Sequence, residues 1–241
     1  MVTWDYGALA RYYDLRADYE HGAIAEALDF AHLPPGAVAV DIGAGTGKLT
    51  RHLLALGYRT FAIEPCAEMR AIGASVASAR WLASDGCSTG LPDASAQLVS
   101  YGSSFNVLPS AAAVAEAVRL LGAGHVLIVY NHRDLSDPLQ MRIEALVRQH
   151  APSFDAGARR ASPLAPWGPV MRAHRYAVRR LVTTQSTADF VAGFRAHATL
   201  IRQLPRFEDF LADLRTLLDR ETDGMVTVPF HTRTWCLQVA R

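Results

Sequence analysis

The sequence lacks the features that would support several classes of protein. Its three cysteines, Cys66, Cys87 and Cys236, are widely spaced and form no CxxC pair. Such a set favours neither a disulfide framework nor a zinc site, so we expect no metal. No apolar run approaches the roughly 18 residues of a membrane helix, and the N-terminus lacks the basic-then-apolar order of a signal peptide. These absences predict a cytoplasmic protein with no membrane partner.

Net charge is also small, because 24 basic residues nearly cancel 23 acidic ones among the 241 residues. A chain without a strong positive excess is not expected to bind nucleic acid. The basic residues are unevenly placed, however, and residues 131–206 hold 12 arginines against 5 acidic residues. This basic region predicts either a solvated surface or a cover that attracts a small anionic substrate.

Strand and helix signals alternate through the first half of the chain. Apolar runs near 37–42, 59–63, 80–83, 97–102 and 125–130 predict strands, and the segments near 47–56, 67–77, 111–121 and 138–150 predict helices. Short apolar runs separated by helical stretches favour a parallel sheet covered on both faces. The sequence therefore predicts an α/β fold.

Outside that alternation we predict three further features. Residues 1–33 would form an N-terminal helical lid, and residues 151–205, which are rich in proline, would form a small helical cap. Runs at 225–230 and 234–240 would form an antiparallel hairpin that completes the sheet. The predicted domains are thus the lid, a sheet domain of residues 34–150 and 206–241, and the cap.

A glycine-rich loop, Asp41-Ile42-Gly43-Ala44-Gly45-Thr46-Gly47-Lys48, follows the first predicted strand and opens a helix. Small residues let a ligand approach the backbone, and free N–H groups at a helix start favour a negative group. A phosphate-binding Walker A loop is excluded, because Gly43 to Gly47 is one residue short and Leu49 replaces the required hydroxyl. A dinucleotide fingerprint is disfavoured, because Lys48 occupies its third glycine position.

The spacing Asp-x-Gly-x-Gly-x-Gly resembles the first motif of the class I S-adenosylmethionine-dependent methyltransferases. The resemblance implies a Rossmann-like sheet and S-adenosylmethionine as cofactor, with S-adenosylhomocysteine as its product. It also implies that the loop cradles the methionine part of the cofactor. In this family the acidic residue, here Asp41, organises the loop and helps to hold the cofactor's amino group. The predicted loop residues are Gly43, Ala44, Gly45, Thr46 and Gly47.

Further motifs of the family follow in order. Glu64 and Pro65 end the second predicted strand, where an acidic residue should accept both ribose hydroxyls. Asp85, Gly86 and Cys87 match positions that contact adenine, and Ser103, Ser104 and Phe105 match the segment beside the transferred methyl group. Tyr13 and Arg16 resemble lid residues near the cofactor's carboxylate.

The resemblance implies methyl transfer to an oxygen, nitrogen or carbon nucleophile of a small molecule by positioned in-line displacement. The usual Asp/Asn-Pro-Pro-Tyr/Phe device for base nitrogens is absent, which disfavours nucleic-acid substrates. Candidates for a general base are His132, His174 and His197, although the chemistry does not require one. Arg172, Arg175 and Arg179 would line one helical face of the cap. The alternatives are a nicotinamide-dependent oxidoreductase and a binding protein of this fold without catalysis.

Overall fold

The computed structural model describes residues 6–154 and 160–240, which divide into two units. The sheet unit comprises Asp18–Asn131, Ala161–Arg179 and Thr232–Arg241, and the helical unit comprises Met1–Ala17, His132–Arg160 and Arg180–His231. These bounds differ from those of the predicted lid, sheet domain and cap, because each predicted segment contributes residues to both units.

Seven strands and nine helices lie within the described residues. The strands are β1 (Val38–Ile42), β2 (Arg59–Ile63), β3 (Arg80–Leu82), β4 (Leu98–Gly102), β5 (Ala123–Arg133), β6 (Met171–Ser186) and β7 (Met225–Ala240). The helices are α1 (Gly7–Ala10), α2 (His21–Asp29), α3 (Lys48–Ala55), α4 (Ala67–Val76), α5 (Ser110–Leu121), α6 (Pro138–His150), α7 (Thr187–Gly193), α8 (Ala198–Gln203) and α9 (Phe207–Glu221). No helix in this part of the chain is long and apolar enough to cross a membrane.

The strands form one sheet in the order β3-β2-β1-β4-β5-β7-β6. Strand β1 pairs in parallel with both β2 and β4, and the parallel pairs β2–β3 and β4–β5 extend the sheet on each side. The chain order therefore reverses between β1 and β4. In an open parallel sheet, ligands bind outside the carboxyl ends of the strands at such a switch point.

Both faces of the central strands are buried, and successive residues of a strand point to opposite faces. Val40, Val99 and Ile128 pack on one face with α5, and Ala39, Leu98 and Leu127 pack on the other with α2 and α3. The helical unit has its own core, formed mainly by α6, α7 and α9.

The predicted C-terminal hairpin is wrong, because Met225–Ala240 is one uninterrupted strand. The even-numbered residues from Val226 to Cys236 are all buried or partly buried, so one face of the strand stays covered through this stretch. Residues 231–233, where the predicted turn would lie, include no glycine or proline that would favour a turn. Thr232 contacts Asn131 and Pro229 accepts the N–H of Asp134, so β7 runs antiparallel to β5.

The antiparallel partner on the other side of β7 comes from the predicted cap. Val170 accepts the N–H of Ala240, and Ala177 accepts the hydroxyl of Thr234, so β6 runs antiparallel to β7. Ala177 is the one buried residue of β6. An edge strand rich in arginine lacks the apolar alternation that would have revealed it, and charge on such a strand discourages edge-to-edge pairing.

The N-terminal segment is less helical than predicted. Gly7–Ala10 and a short turn at Tyr13–Leu15 precede a non-helical stretch, and α2 starts only at His21. The carboxylate of Glu20 caps this helix by accepting the N–H groups of Gly22 and Ala23. A carboxylate at this position satisfies donors that have no partner inside the helix, which fixes where α2 begins.

Candidate active site

The glycine loop connects β1 to α3 at the switch point. Gly43, Gly45 and Gly47 all have positive φ angles, of 68°, 57° and 84°. A Cβ atom on Gly43 would lie 2.6 Å from the Cβ of Ser104, which follows β4. Glycine is therefore required at position 43 both by its backbone conformation and by the close approach of the neighbouring strand end.

Asp41 lies on β1 directly before this loop and is fully buried. Its two carboxylate oxygens accept the hydroxyls of Thr50 (2.7 Å) and Ser100 (2.9 Å), which tie β1 to α3 and β4. Burial raises the pKa of Asp41 to about 6, and the nearby negative charge of Glu64 acts in the same direction. The two hydrogen bonds lower this pKa but do not outweigh burial. The carboxylate thus joins the strand and the helix on either side of the glycine loop, and its organising role in cofactor binding stays a prediction.

Glu64 follows β2 and turns its carboxylate toward the glycine loop. Its Oε2 accepts the N–H of Gly45 and its Oε1 accepts the N–H of Cys66, each at 2.9 Å. Burial raises the pKa of this carboxyl. The Arg70 guanidinium donates to the carbonyls of Glu64 and Pro65, which holds the end of β2 in place. Each oxygen of Glu64 keeps one lone pair for a further donor.

A tight turn follows β3 and contains the predicted adenine residues. The N–H groups of Cys87 and Ser88 donate to the side-chain and backbone oxygens of Asp85, at 2.7 and 3.1 Å. A Cβ on Gly86 would lie 2.6 Å from Cγ2 of Ile42, the last residue of β1. Burial, followed by the charge of Asp85, raises the pKa of the Cys87 thiol. The turn is thereby placed next to the end of β1.

The segment after β4 contributes two serines to the same edge. Ser103 has a left-handed backbone conformation, with φ of 57°, and its N–H donates to the carbonyl of Val129. The hydroxyl of Ser104 donates to the carbonyl of Ile42. These contacts fasten the end of β4 to its neighbours β5 and β1.

Phe105 is almost fully buried rather than open to the loop. Its ring packs against Trp167 and Tyr101, with both centroid distances 5.2 Å. Trp167 is completely buried, although it comes from the predicted cap. No local pattern could place this tryptophan beside Phe105, because the two residues are 62 positions apart.

Tyr19 is a further residue at this edge that sequence reasoning missed. Its hydroxyl donates to Oγ of Ser103 at 3.1 Å, and a Cβ on Gly102 would lie 3.2 Å from the same hydroxyl. Its place among the tyrosines of the N-terminal segment is a weak signal, because Tyr13 has the same kind of neighbourhood in sequence.

The remaining predicted residues belong to the helical unit or to β6. Tyr13, Arg16, His132 and His197 belong to the helical unit, where the Arg16 guanidinium lies 5.2 Å from the centre of the Tyr13 ring. His174 is exposed on β6, four strands from β1 in the sheet order. Because neighbouring strands are about 4.8 Å apart, the structure does not bring His174 to the glycine loop.

The predicted basic face of a helix is also wrong, because Arg172, Arg175 and Arg179 lie on strand β6. With a period of two, Arg175 and Arg179 share one side of the strand and Arg172 has the other. Arginines of the basic region form ion pairs within their own unit: Arg133–Glu144, Arg142–Glu221, Arg175–Glu26, Arg179–Glu26, Arg195–Glu208 and Arg206–Asp209. This pairing offsets much of the positive charge counted from sequence.

No group of three or more His, Cys, Asp or Glu side chains in the described residues is arranged to hold a metal ion. The site does have the features expected for an organic cofactor. Among the described residues, no atom beyond the two chain neighbours lies within 4 Å of the position that a Cβ on Gly45 would take. The backbone N–H of this residue is nevertheless fixed by Glu64. The loop therefore offers bare backbone to a ligand, next to a carboxylate with acceptor capacity left.

Comparison with known proteins supports a Rossmann-like fold. Residues 40–129 match the model of a family described as a methyltransferase domain. No protein of curated function matches the sequence. A candidate type II methyltransferase from Anaeromyxobacter dehalogenans has a similar structure, with a TM-score of 0.66 and 16% identity over 93% of this chain and 97% of that one.

Two other solved structures are similar. A candidate methyltransferase of an antibiotic biosynthesis pathway from Anabaena variabilis has a TM-score of 0.58 and 17% identity, over 90% of this chain and 98% of its own. A phosphoethanolamine N-methyltransferase from Haemonchus contortus, solved with S-adenosylhomocysteine, has a TM-score of 0.52 and 14% identity; the match covers 96% of this chain and 57% of that one. The chain thus has the Rossmann-like fold seen in methyltransferase structures, and its residues 40–129 are similar to the methyltransferase-domain family.

Proposed function

We propose that the protein transfers a methyl group from S-adenosylmethionine to a small molecule. The observation that carries this proposal is the link between Gly45 and Glu64 at the switch point of the sheet. The link fixes a carboxylate beside a loop of bare backbone, at the place where the fold binds ligands.

The residues present suit this cofactor. The loop from Gly43 to Gly47 would hold its methionine part, and the remaining acceptor capacity of Glu64 would take the two ribose hydroxyls. Asp41 would hold β1 against α3 and β4 next to the loop, through Thr50 and Ser100. The turn at Asp85–Cys87 would border adenine, and the serines after β4 would border the methyl group.

When bound, the cofactor would supply a methyl group attached to a positively charged sulfonium, whose sulfur becomes a neutral thioether once the methyl group is transferred. The chain has only to align the acceptor with that methyl group and to exclude water, which is a positioning effect. We assign no residue as a general base, because a nucleophile without an acidic proton needs none. His132 and His197 remain candidates for an acceptor that must lose a proton.

The acceptor atom of the substrate stays open between oxygen, nitrogen and carbon. An anionic substrate is one of the two interpretations of the basic region, but the ion pairs of that region already involve several of its arginines. We therefore include uncharged acceptors in the proposed substrate class. Reversal of charge at Arg175 and Arg179 would test an anionic preference: an unchanged substrate KM would contradict it.

The proposal is tested by calorimetric titration with S-adenosylhomocysteine. We expect micromolar or tighter binding that Glu64→Ala weakens more than tenfold, because the variant loses the carboxylate beside the loop. Glu68→Ala, which removes an exposed carboxylate four residues away, is the matched control and should bind like the parent.

Two results would point elsewhere. Binding of NAD(H) in place of S-adenosylhomocysteine would favour the oxidoreductase alternative. In the second result, the protein binds S-adenosylhomocysteine tightly but transfers no methyl group from labelled S-adenosylmethionine to any member of a broad acceptor panel. That result would favour a binding protein of this fold.

A further inference from the structure

We propose that Tyr19 is a positioning residue of the methyl-transfer site, and that its hydroxyl holds Ser103 in the left-handed conformation that the site requires. The inference rests on the proposed function, because it takes the edge formed by the glycine loop and the end of β4 as the cofactor site. It concerns a residue outside the matched methyltransferase domain.

Ser103 is strained. A non-glycine residue with φ of 57° is disfavoured, and such residues persist where surrounding contacts fix them, often at functional sites. Two contacts fix Ser103: its N–H donates to the carbonyl of Val129 at 2.9 Å, and its Oγ accepts the hydroxyl of Tyr19 at 3.1 Å. Only the second contact is made by the side chain.

Tyr19 is itself held in place. It belongs to a short strap, residues 18–20, which precedes α2. The Asp18 carboxylate accepts the N–H of Tyr19 at 2.8 Å, together with Nε2 of His52 at 3.2 Å and a nitrogen of Arg51 at 3.4 Å. A carboxylate can only accept here, so His52 donates through Nε2. These contacts tie the strap to α3, the helix that the glycine loop opens.

The strap is also tied to the far side of the site. The side-chain amide of Asn131, on β5, donates to the carbonyl of Asp18 at 2.6 Å. The hydroxyl of Thr232, on β7, donates to Asn131 and accepts the N–H of Glu20 at 2.9 Å. Because both ends of the strap are anchored, the hydroxyl of Tyr19 is presented to Ser103 at small cost in side-chain entropy.

The mechanism predicts a specific coupling between two substitutions. Tyr19→Phe removes only the hydroxyl, and we expect it to weaken S-adenosylhomocysteine binding at least fivefold. Glycine adopts positive φ without strain and needs no hydroxyl to hold it. In the background of Ser103→Gly, Tyr19→Phe should therefore change the affinity by less than twofold.

Tyr58→Phe is the matched control, because Tyr58 is partly buried against the same apolar cluster as Tyr19. It should leave binding unchanged in both backgrounds. A ligand-free version of the same cycle uses the urea midpoint of unfolding. In the parent, Ser103→Gly relieves the backbone strain but also removes the hydrogen bond to Tyr19. In the Tyr19→Phe background that hydrogen bond is already absent, so Ser103→Gly should raise the urea midpoint more than it does in the parent.

The outcomes separate the two proposals. A parent protein that shows the coupling in urea but binds no S-adenosylhomocysteine would contradict the proposed function and leave the link between Tyr19 and Ser103 standing. If the parent binds and Tyr19→Phe weakens binding equally in both backgrounds, Tyr19 acts on the ligand directly and the inference is overturned. No weakening by Tyr19→Phe in the parent would also overturn it.

Discussion

The backbone N–H of Gly45 donates a hydrogen bond of 2.9 Å to the carboxylate of Glu64, which joins the glycine loop after β1 to the end of β2. Together with the N–H of Cys66, which donates to the other oxygen, this contact sets the orientation of the carboxylate before any ligand arrives. A preorganised acceptor loses less conformational entropy on binding, so the contact should matter more for affinity than for stability.

A methyl group added at Gly45 should separate binding from folding. Gly45→Ala would place a Cβ where no atom lies within 4 Å, so its cost is the positive φ alone, about 1 kcal/mol. The same methyl group would fill the space offered to the cofactor. We expect a folded variant whose affinity for S-adenosylhomocysteine falls at least tenfold.

Gly57→Ala is the matched control for that experiment, since Gly57 also has positive φ and open space at its Cβ position, but follows α3. Calorimetry and urea unfolding of both variants suffice. Equal affinity for the two variants would show that the cofactor does not approach the loop at Gly45.

Glu64→Gln tests the carboxylate itself without changing its size. A glutamine side chain has one acceptor oxygen, so either the N–H of Gly45 or that of Cys66 would face its amide NH₂ group. The lost hydrogen bond should cost about 1–2 kcal/mol of unfolding free energy, and the affinity for S-adenosylhomocysteine should fall at least tenfold. Glu68→Gln serves as control, and parent-like binding by Glu64→Gln would exclude Glu64 as the ribose acceptor.

Asp41 should make stability depend on pH. Its pKa in the folded protein is about 6, against an ordinary value of 3.8, because burial disfavours the charged form. Between these values the folded protein binds more protons than the unfolded chain, so the free energy of unfolding falls as pH rises from 4 to 6, by up to about 3 kcal/mol. Asp41→Asn, which cannot ionise, should reduce this slope in urea titrations.

Two other carboxyls bear on that measurement. Burial also raises the pKa of Glu64, so Asp41→Asn should reduce the slope without removing it. The pKa of Asp18 is lowered to about 2, where hydrogen bonds from His52 and Tyr19 outweigh burial, so its stabilising effect is lost only as pH falls from 4 to 2. The exposed Asp209→Asn is the control, and an unchanged slope in Asp41→Asn would contradict the assignment.

Gly73 in α4 should tolerate no side chain. A Cβ there would lie 2.1 Å from the Cη2 atom of Trp81, whose indole N–H donates to the carbonyl of Ala77. We expect Gly73→Ala to cost about 2 kcal/mol of unfolding free energy, in the range of overpacked cores. Trp81→Phe should recover part of that loss in the double variant, and additive costs would show that the two sites do not clash.

Much of the parallel sheet was predictable because its signals are local. Strands β1, β2 and β4 are short and mostly buried apolar runs, and burial on both faces makes such runs continuous rather than alternating. The positions of Asp41, Gly43 and Glu64 in the fold were also predictable, since each lies within or directly after one of these runs. The structure confirms the predicted fold class and leaves the cofactor contacts as predictions.

The sequence by itself therefore determined the alternation of strands and helices, the glycine loop and the class of fold. Only the tertiary structure decided that Met171–Ser186 is a strand, that β7 has no turn, and that Tyr19 meets Ser103. An arginine-rich edge strand is defined by its partner β7 and not by its own pattern. Tyr19 and Ser103 are 84 residues apart, and their contact depends on the strap being anchored to α3, β5 and β7, so no local pattern could have revealed it.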